Sequence, residues 1–452
     1  MQPGQHIHLV GIGGFGISAI ARVLLGQGYR VSGSDRSRNT LTDALARDGV
    51  TIHEGHAAEY VEGADALIIT SAAAADHVEV QAARARGIPV YKRNDIIAEI
   101  MRDKTVIAIA GTHGKTTTTA MVTHILRVNG HDPSYIVGGI MGNTGTNAGV
   151  GQGRAFVIEA DEYDHMFLGL FPNIAVLTSI EYDHPDFFQT EAAMVDAFRR
   201  FAHLVDDILI ACAAQAGVRE ILKSERFAAR TITYGQGNVY AANIHMEDTR
   251  QVFDVVYQGN NVATVTLPLP GEHNIQNAIG AMLAAHQQGI TFHESAAALA
   301  TFKSTGRRFE VRGEANGIIV IDDYAHHPTA IAYTLAAARV RYPDHMVWAV
   351  WQPHTYSRTA QLLPDYAVAF SQAHRVIVTD IYAARETATE ETITGQAAAD
   401  ALHHAKVTFI PALDEAAAYL LAQVQSPAVI VIMSAGDAPR IGERFLREAS
   451  HA

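Results

Sequence analysis

The pattern that recurs along the chain is an apolar, β-branched run of strand length that stops at a glycine or an acidic residue, after which a helical period follows. Residues 6–10 run into Gly11-x-Gly13-x-x-Gly16, residues 17–25 then have helical spacing, and a second strand at 30–34 ends in Asp35. Short strands at 66–71 and 89–91 flank a helix over 79–86, and 94–104 reads as helical. The clearest unit is 106–119, where Val106-Ile-Ala-Ile-Ala110 breaks at Gly111 and resumes as a helix near Lys115. A strand over 155–162 ends in an acidic cluster, and another over 173–185 ends in Glu181, Asp183 and His184. Residues 267–278 open a long Ala-rich helix through residue 287, with His273, Asn274 and Asn277 in its first turn. Beyond residue 302, strands begin at 317, 346, 375 and 428, and the first of them ends in Asp322, Asp323, His326 and His327.

Strands alternating with helices predict α/β architecture with parallel sheets. The breaks predict three domains: a Rossmann-like N-terminal domain over 1–102, a central P-loop ATPase-type α/β domain over 103–302, and a C-terminal Rossmann-like α/β domain over 303–452.

A glycine-bearing turn between strand and helix aims backbone N–H groups and the positive helix end at one point, where an anion fits. In the turn formed by Gly111, Thr112, His113, Gly114, Lys115, Thr116 and Thr117, Gly114 permits close approach, Lys115 neutralises terminal phosphate charge and the Thr116 hydroxyl suits Mg²⁺. Ile109 stands where the longer phosphate-loop form needs glycine, so this is a shorter variant. The turn at Gly11, Ile12, Gly13, Gly14, Phe15 and Gly16, with Asp35, serves NAD or any other pyrophosphate, a UDP-sugar included. The acidic strand ends are where an α/β NTPase keeps metal-directed carboxylates; each alone reads as solvated loop charge. Asn274 and Asn277 share a helix face, as caps or as nucleotide ligands. The His326-His327 pair lacks a second ligand group at zinc spacing.

Composition narrows the function classes. A net charge of −13 without any Lys/Arg-rich run disfavours a nucleic-acid partner. A single cysteine, Cys212, suits a reducing compartment, and the absence of a long apolar stretch predicts a cytoplasmic protein with no membrane partner.

Taken together, GIGGFGISAI from residue 11, AGTHGKTTTT (110–119), EADEYD (159–164), IEYDHPDFF (180–188), PGEHNIQNA (270–278), GRRFEV (306–311), DDYAHHPT (322–329) and QPHTYSR (352–358) resemble the Mur ligases of bacterial cell-wall synthesis. The resemblance implies an ATP-dependent, Mg²⁺-assisted ligase that joins an amino acid to UDP-N-acetylmuramate, as monomer or homodimer. The first and last thirds point to members that add L-alanine; members that attach a recycled tripeptide are the alternative, and an NAD-dependent oxidoreductase is a remoter one.

By resemblance, Gly11 to Gly16, Asp35 and Ser71 hold the UDP-sugar. Lys115, Thr116 and Thr117 with His273, Asn274, Asn277, Arg308 and Asp323 hold ATP, and Thr116, Glu159 and His184 serve the metal. His326, His354 and Arg358 receive the amino acid. The chain departs from the commoner family pattern at Phe15, Ala325, Ala330, Thr355, Arg385 and Ser434, so the resemblance bears more on reaction type than on amino-acid identity.

Overall fold

The structure, a computed structural model, describes residues 2–70, 73–74, 76–384, 386–389 and 391–450. Ser71 and Arg385, both singled out above, lie outside the described residues. The chain forms two compact units, one of residues 1–180, 195–240 and 278–298, the other of residues 181–194, 241–277 and 299–452.

The first unit holds two parallel-rich sheets. In one, the strands lie in the order Thr51–Glu54, Arg30–Asp35, His6–Val10, Ala66–Ile69, Val90–Lys92, all parallel. This arrangement has the strand reversal at its first strand that defines a Rossmann-like crevice. A buried polar network braces it. Glu79, fully buried, accepts hydrogen bonds from Ser34 Oγ at 2.9 Å and pairs with His8 Nε2 and His56 Nδ1, each also at 2.9 Å. Burial alone would raise the Glu79 carboxyl, but these partners outweigh it and hold it below the usual range.

The other sheet has seven strands, and at its centre Thr105–Ala110 lies between Ala155–Ala160 and Ile174–Leu177, parallel to both. Its strands read as continuous apolar runs because both faces are covered; Ile107 to Ala110 are wholly buried. The helix Lys115–Val128 that follows has four threonines directly after Lys115, poor helix formers. Two of the helix's threonines are accommodated by hydroxyls that return to the preceding turn, Thr119 to Lys115 O and Thr123 to Thr119 O, both at 2.8 Å.

The second unit contains a six-stranded sheet in the order Glu310–Ala315, Ile318–Asp323, Ala428–Met433, Met346–Trp351, Arg375–Val378, Val407–Phe409. The first strand is an antiparallel edge and the rest are parallel. Its core is built from Val320, Trp348, Val350, Ile430, Ile432 and Phe445. A three-stranded sheet of Val239–Glu247, Arg250–Tyr257 and Asn260–Leu267, most of it in this unit, is absent from the periodicity reading, as are the strands Thr51–Glu54, Ser134–Ile136, Ile208–Cys212, Arg230–Tyr234, Glu310–Ala315 and Val407–Phe409. Among the described residues, no helix is long and apolar enough to cross a membrane.

Candidate active site

In the first unit, the turn after Thr105–Ala110 is pinned from the neighbouring strand end. Ser179 accepts the Thr112 N–H at its carbonyl, 3.0 Å, and the His113 N–H at Oγ, 2.8 Å, while Thr178 Oγ donates to His113 O at 2.5 Å. Gly114, at φ +80°, then turns the chain into the helix, a conformation that glycine adopts without strain. The first-turn N–H groups of that helix have no partner within it, so the turn presents them, with the positive dipole end, to an anion.

Lys115 completes this pole. Its ammonium donates to the carbonyls of Gly111 and Thr112 and lies 2.8 Å from Glu162 Oε2. Burial alone would lower the Lys115 pKa, yet Glu162, Glu159 and Asp161 together hold it above the usual lysine value, so the side chain stays charged. Beside it Thr116 Oγ donates to Glu159 Oε1 at 3.1 Å, and Glu159 Oε2 accepts the Gly138 N–H at 2.7 Å. A hydroxyl and a carboxylate at that separation form a hard oxygen donor set, which fits Mg²⁺. Glu162 was not among the residues expected at the site; the acidic strand end carried the signal without saying which carboxylate meets the lysine.

The glycine turn near the N-terminus is braced largely by its own surroundings. The N–H groups of Gly11 and Ile12 are taken by Ser34 O at 2.8 and 3.1 Å, and that of Gly13 by Asp35 Oδ2 at 2.8 Å. The Ile12 side chain is fully buried, whereas Phe15 is exposed. What faces outward is the first turn of the helix Phe15–Gly26, capped by Gly14. A small cleft lined by Gly14, Gly16, Ile17, Lys92, Arg93 and, on the acidic side, Asp164 opens there. At Gly16 a Cβ would collide with the Arg93 guanidinium, so only glycine lets that cation approach the helix start. Arg93 is held by Asp161 at 2.9 Å. Lys92 and Arg93, two cations beside a helix N-terminus, suit a pyrophosphate. Neither was expected from the sequence, where both sit in an unremarkable strand end.

In the second unit, Arg358 is the hub. It is buried, and its Nε donates to Asp183 Oδ1 at 2.7 Å, one terminal nitrogen to His354 Nδ1 at 2.8 Å and the other to His184 Nδ1 at 3.3 Å. Burial would otherwise protonate Asp183, but the Arg358 guanidinium beside it holds its carboxyl well below the usual range. The His326 ring lies 5.7 Å from that of His354, centroid to centroid. The expected amino-acid group His326, His354 and Arg358 is thus assembled, with Asp183 as an unexpected fourth member. His184, expected at the metal, belongs to this unit and turns its ring to Arg358.

The residues expected at ATP divide by what they hold. Asp323 accepts the Phe309 and Ala325 N–H groups, both at 2.7 Å, so its carboxylate shapes the turn that carries Arg308. Arg308 lies over the Tyr324 ring at 4.9 Å. His273 stacks on Tyr333, while Asn274 donates to Pro270 O at 2.7 Å and accepts from Asn277 at 3.3 Å, so the two asparagines do share a face.

Comparison with known proteins bears on all of these segments. Residues 6–105 match the Mur ligase family, catalytic domain; residues 109–285 match the Mur ligase middle domain; residues 307–436 match the Mur ligase, glutamate ligase domain. A UDP-N-acetylmuramate--L-alanine ligase of Salinibacter ruber is 42% identical over 451 residues, covering 98% of this chain and 94% of its own. Among solved structures, a UDP-N-acetylmuramate-alanine ligase of Thermotoga maritima superposes with a TM-score of 0.82 at 26% identity, covering 99% of both chains. A murein peptide ligase of Psychrobacter arcticus superposes with a TM-score of 0.72 at 25% identity, again over 99% of each.

Proposed function

The chain belongs to the Mur ligase family, and from that membership we infer that it forms an amide between L-alanine and the carboxylate of UDP-N-acetylmuramate at the expense of ATP. The observation that carries this reading is the charged Lys115 set among Glu159, Glu162 and the helix start at Thr116, joined to near-full-length similarity to an alanine-adding relative.

A carboxylate is a poor acyl donor, because its leaving group would be oxide. Transfer of a phosphoryl group to it gives an acyl phosphate, which an amine attacks with loss of phosphate. Lys115 and the first-turn N–H groups at Gly114 to Thr117 stabilise charge on the transferring phosphoryl group. Thr116 and Glu159 would hold Mg²⁺, which supplies neutralisation of phosphate charge. Phe15 to Ile17 with Lys92 and Arg93 bind the sugar-nucleotide pyrophosphate; the preference for a UDP-sugar over NAD at this turn rests on the family membership and not on the pyrophosphate contacts. Arg308 with the His273, Asn274 and Asn277 helix start serves ATP. Arg358 and His354 receive the amino-acid carboxylate. The single buried Cys212 accords with a reaction in the cytoplasm.

The test is phosphate release by the purified protein with ATP, Mg²⁺, UDP-N-acetylmuramate and L-alanine, each omitted in turn. Release that needs all of them supports the reading. Release that ignores the sugar nucleotide or the amino acid, or that requires a peptide in place of L-alanine, contradicts it.

A further inference from the structure

An amino acid enters as an ammonium ion, which has no lone pair to attack with. Some group must take a proton from it, and hydrogen-bond chemistry around Arg358 identifies which. Arginine can only donate, so the His354 and His184 Nδ1 atoms that it contacts at 2.8 and 3.3 Å must both be acceptors. In their neutral forms both rings therefore carry hydrogen on Nε2. His326 is fixed the other way. Its Nδ1 faces the Tyr324 carbonyl at 2.8 Å, and a carbonyl can only accept, so Nδ1 carries the hydrogen and Nε2 the lone pair. No hydrogen bond to that Nε2 is formed among the described residues, and the side chain is only half-buried.

We propose that Nε2 of His326 accepts the proton released by the ammonium of the incoming amino acid, an inference that rests on the ligase reading above. Of the three imidazoles around Arg358, it alone offers a lone pair on its outer nitrogen. In the other two the outer nitrogen carries the hydrogen, and that of His184 already faces Asp183 Oδ2 at 3.8 Å. The site thus sorts the two ends of an α-amino acid: acceptor for the amine at His326, donors for the carboxylate at Arg358 and His354. His326 is held in place on both sides, by the Tyr324 carbonyl and by the Tyr366 hydroxyl, which donates to the His326 carbonyl at 2.6 Å.

The charges facing the ring suit a base that must start neutral. Burial and the Arg358 guanidinium hold its pKa well below the ordinary histidine value, with His354 acting in the same sense, while Asp183 and the Tyr324 carbonyl oppose them. In the proposed step one ammonium proton passes to Nε2 and the freed lone pair forms the N–C bond at the acyl carbon. As the C–O bond to phosphate breaks, the second proton leaves with the departing phosphate, and the imidazolium returns its proton to water.

Hydroxylamine tests this, because it is uncharged near neutral pH and needs no base to attack the same acyl phosphate. The measurement is the ratio of L-alanine amide to hydroxamate formed by wild type, His326→Gln and His326→Asn. Both products arise from one intermediate on folded enzyme, so the ratio is insensitive to partial misfolding. A fall in the ratio of about 10²–10⁴ in both variants is expected for loss of a general base. A ratio that stays within about threefold of wild type overturns the proposal. Failure of wild type to make either product would instead overturn the ligase reading itself.

Discussion

The Nζ of Lys115 lies 2.8 Å from Oε2 of Glu162, and both side chains are largely withdrawn from solvent, at 12% and 1% exposure. A buried pair of this kind ties a functional charge to the fold: removing one partner strands the other in a poorly solvated place.

Lys115→Met is therefore expected to lose about 3–5 kcal/mol of stability and about 10²–10³ in turnover. Lys115→Met combined with Glu162→Gln is expected to recover most of the stability and none of the turnover. Chemical denaturation beside steady-state kinetics separates the two effects. Recovery of turnover in the double variant would remove Lys115 from phosphoryl transfer.

Asp183→Asn takes the counter-charge from Arg358 while keeping a similar shape. The guanidinium then loses its anchor, and the KM for L-alanine is expected to rise about 10-fold or more, as for a charged hydrogen bond of roughly 1.5–3 kcal/mol. The KM values for ATP and UDP-N-acetylmuramate are expected to change little. A uniform rise in all three would mean that Asp183 supports the fold and not the amino-acid group.

The contacts behind these predictions also show what the amino-acid sequence could disclose. The glycine turns at 11–16 and 111–117 were legible because a phosphate loop is local: strand, turn and helix start are contiguous, and each residue type has one task. The parallel strands beside the glycine turns and acidic ends were legible because burial on both faces leaves uninterrupted apolar runs, whereas the parallel strands Thr51–Glu54, Ile208–Cys212, Arg230–Tyr234 and Val407–Phe409 were not. Lys115 and Glu162 are 47 positions apart and Asp183 and Arg358 are 175 apart, so only folding selects those carboxylates from their acidic neighbours. The sheet at 239–267 escaped notice because many of its side chains are exposed, which dilutes the period-two signal, and because its hairpin turns through Gly259 at φ +82° without proline.

His326 should also be visible in the pH profile. Its pKa is lowered, so the neutral form persists below the ordinary histidine value of about 6.5 and is lost only as pH falls through the lower one. The acid limb of kcat/KM for L-alanine is expected below that value. Asp183 favours the imidazolium, so Asp183→Asn should move the limb further down. A limb that moves up would contradict the arrangement around Arg358.

Glu79 offers a test away from catalysis. Its carboxyl is held below its ordinary value, so the stabilisation is complete above the unfolded pKa and disappears as pH falls through the folded one. Glu79→Ala leaves His8 and Ser34 without their buried acceptor and is expected to cost about 3 kcal/mol at neutral pH, with a smaller deficit in acid. Urea unfolding at pH 7 and at low pH measures both. An equal deficit at the two values would show that packing, not charge, is what Glu79 supplies.

The central claim is that the muramate carboxylate is activated by phosphorylation before the amine attacks. UDP-N-acetylmuramate labelled with ¹⁸O in its carboxylate, incubated with ATP, Mg²⁺ and L-alanine, tests it by mass analysis of the released phosphate. The account predicts ¹⁸O in that phosphate in step with amide formation, since the acyl C–O bond is the one that breaks. Amide formed with unlabelled phosphate would contradict it.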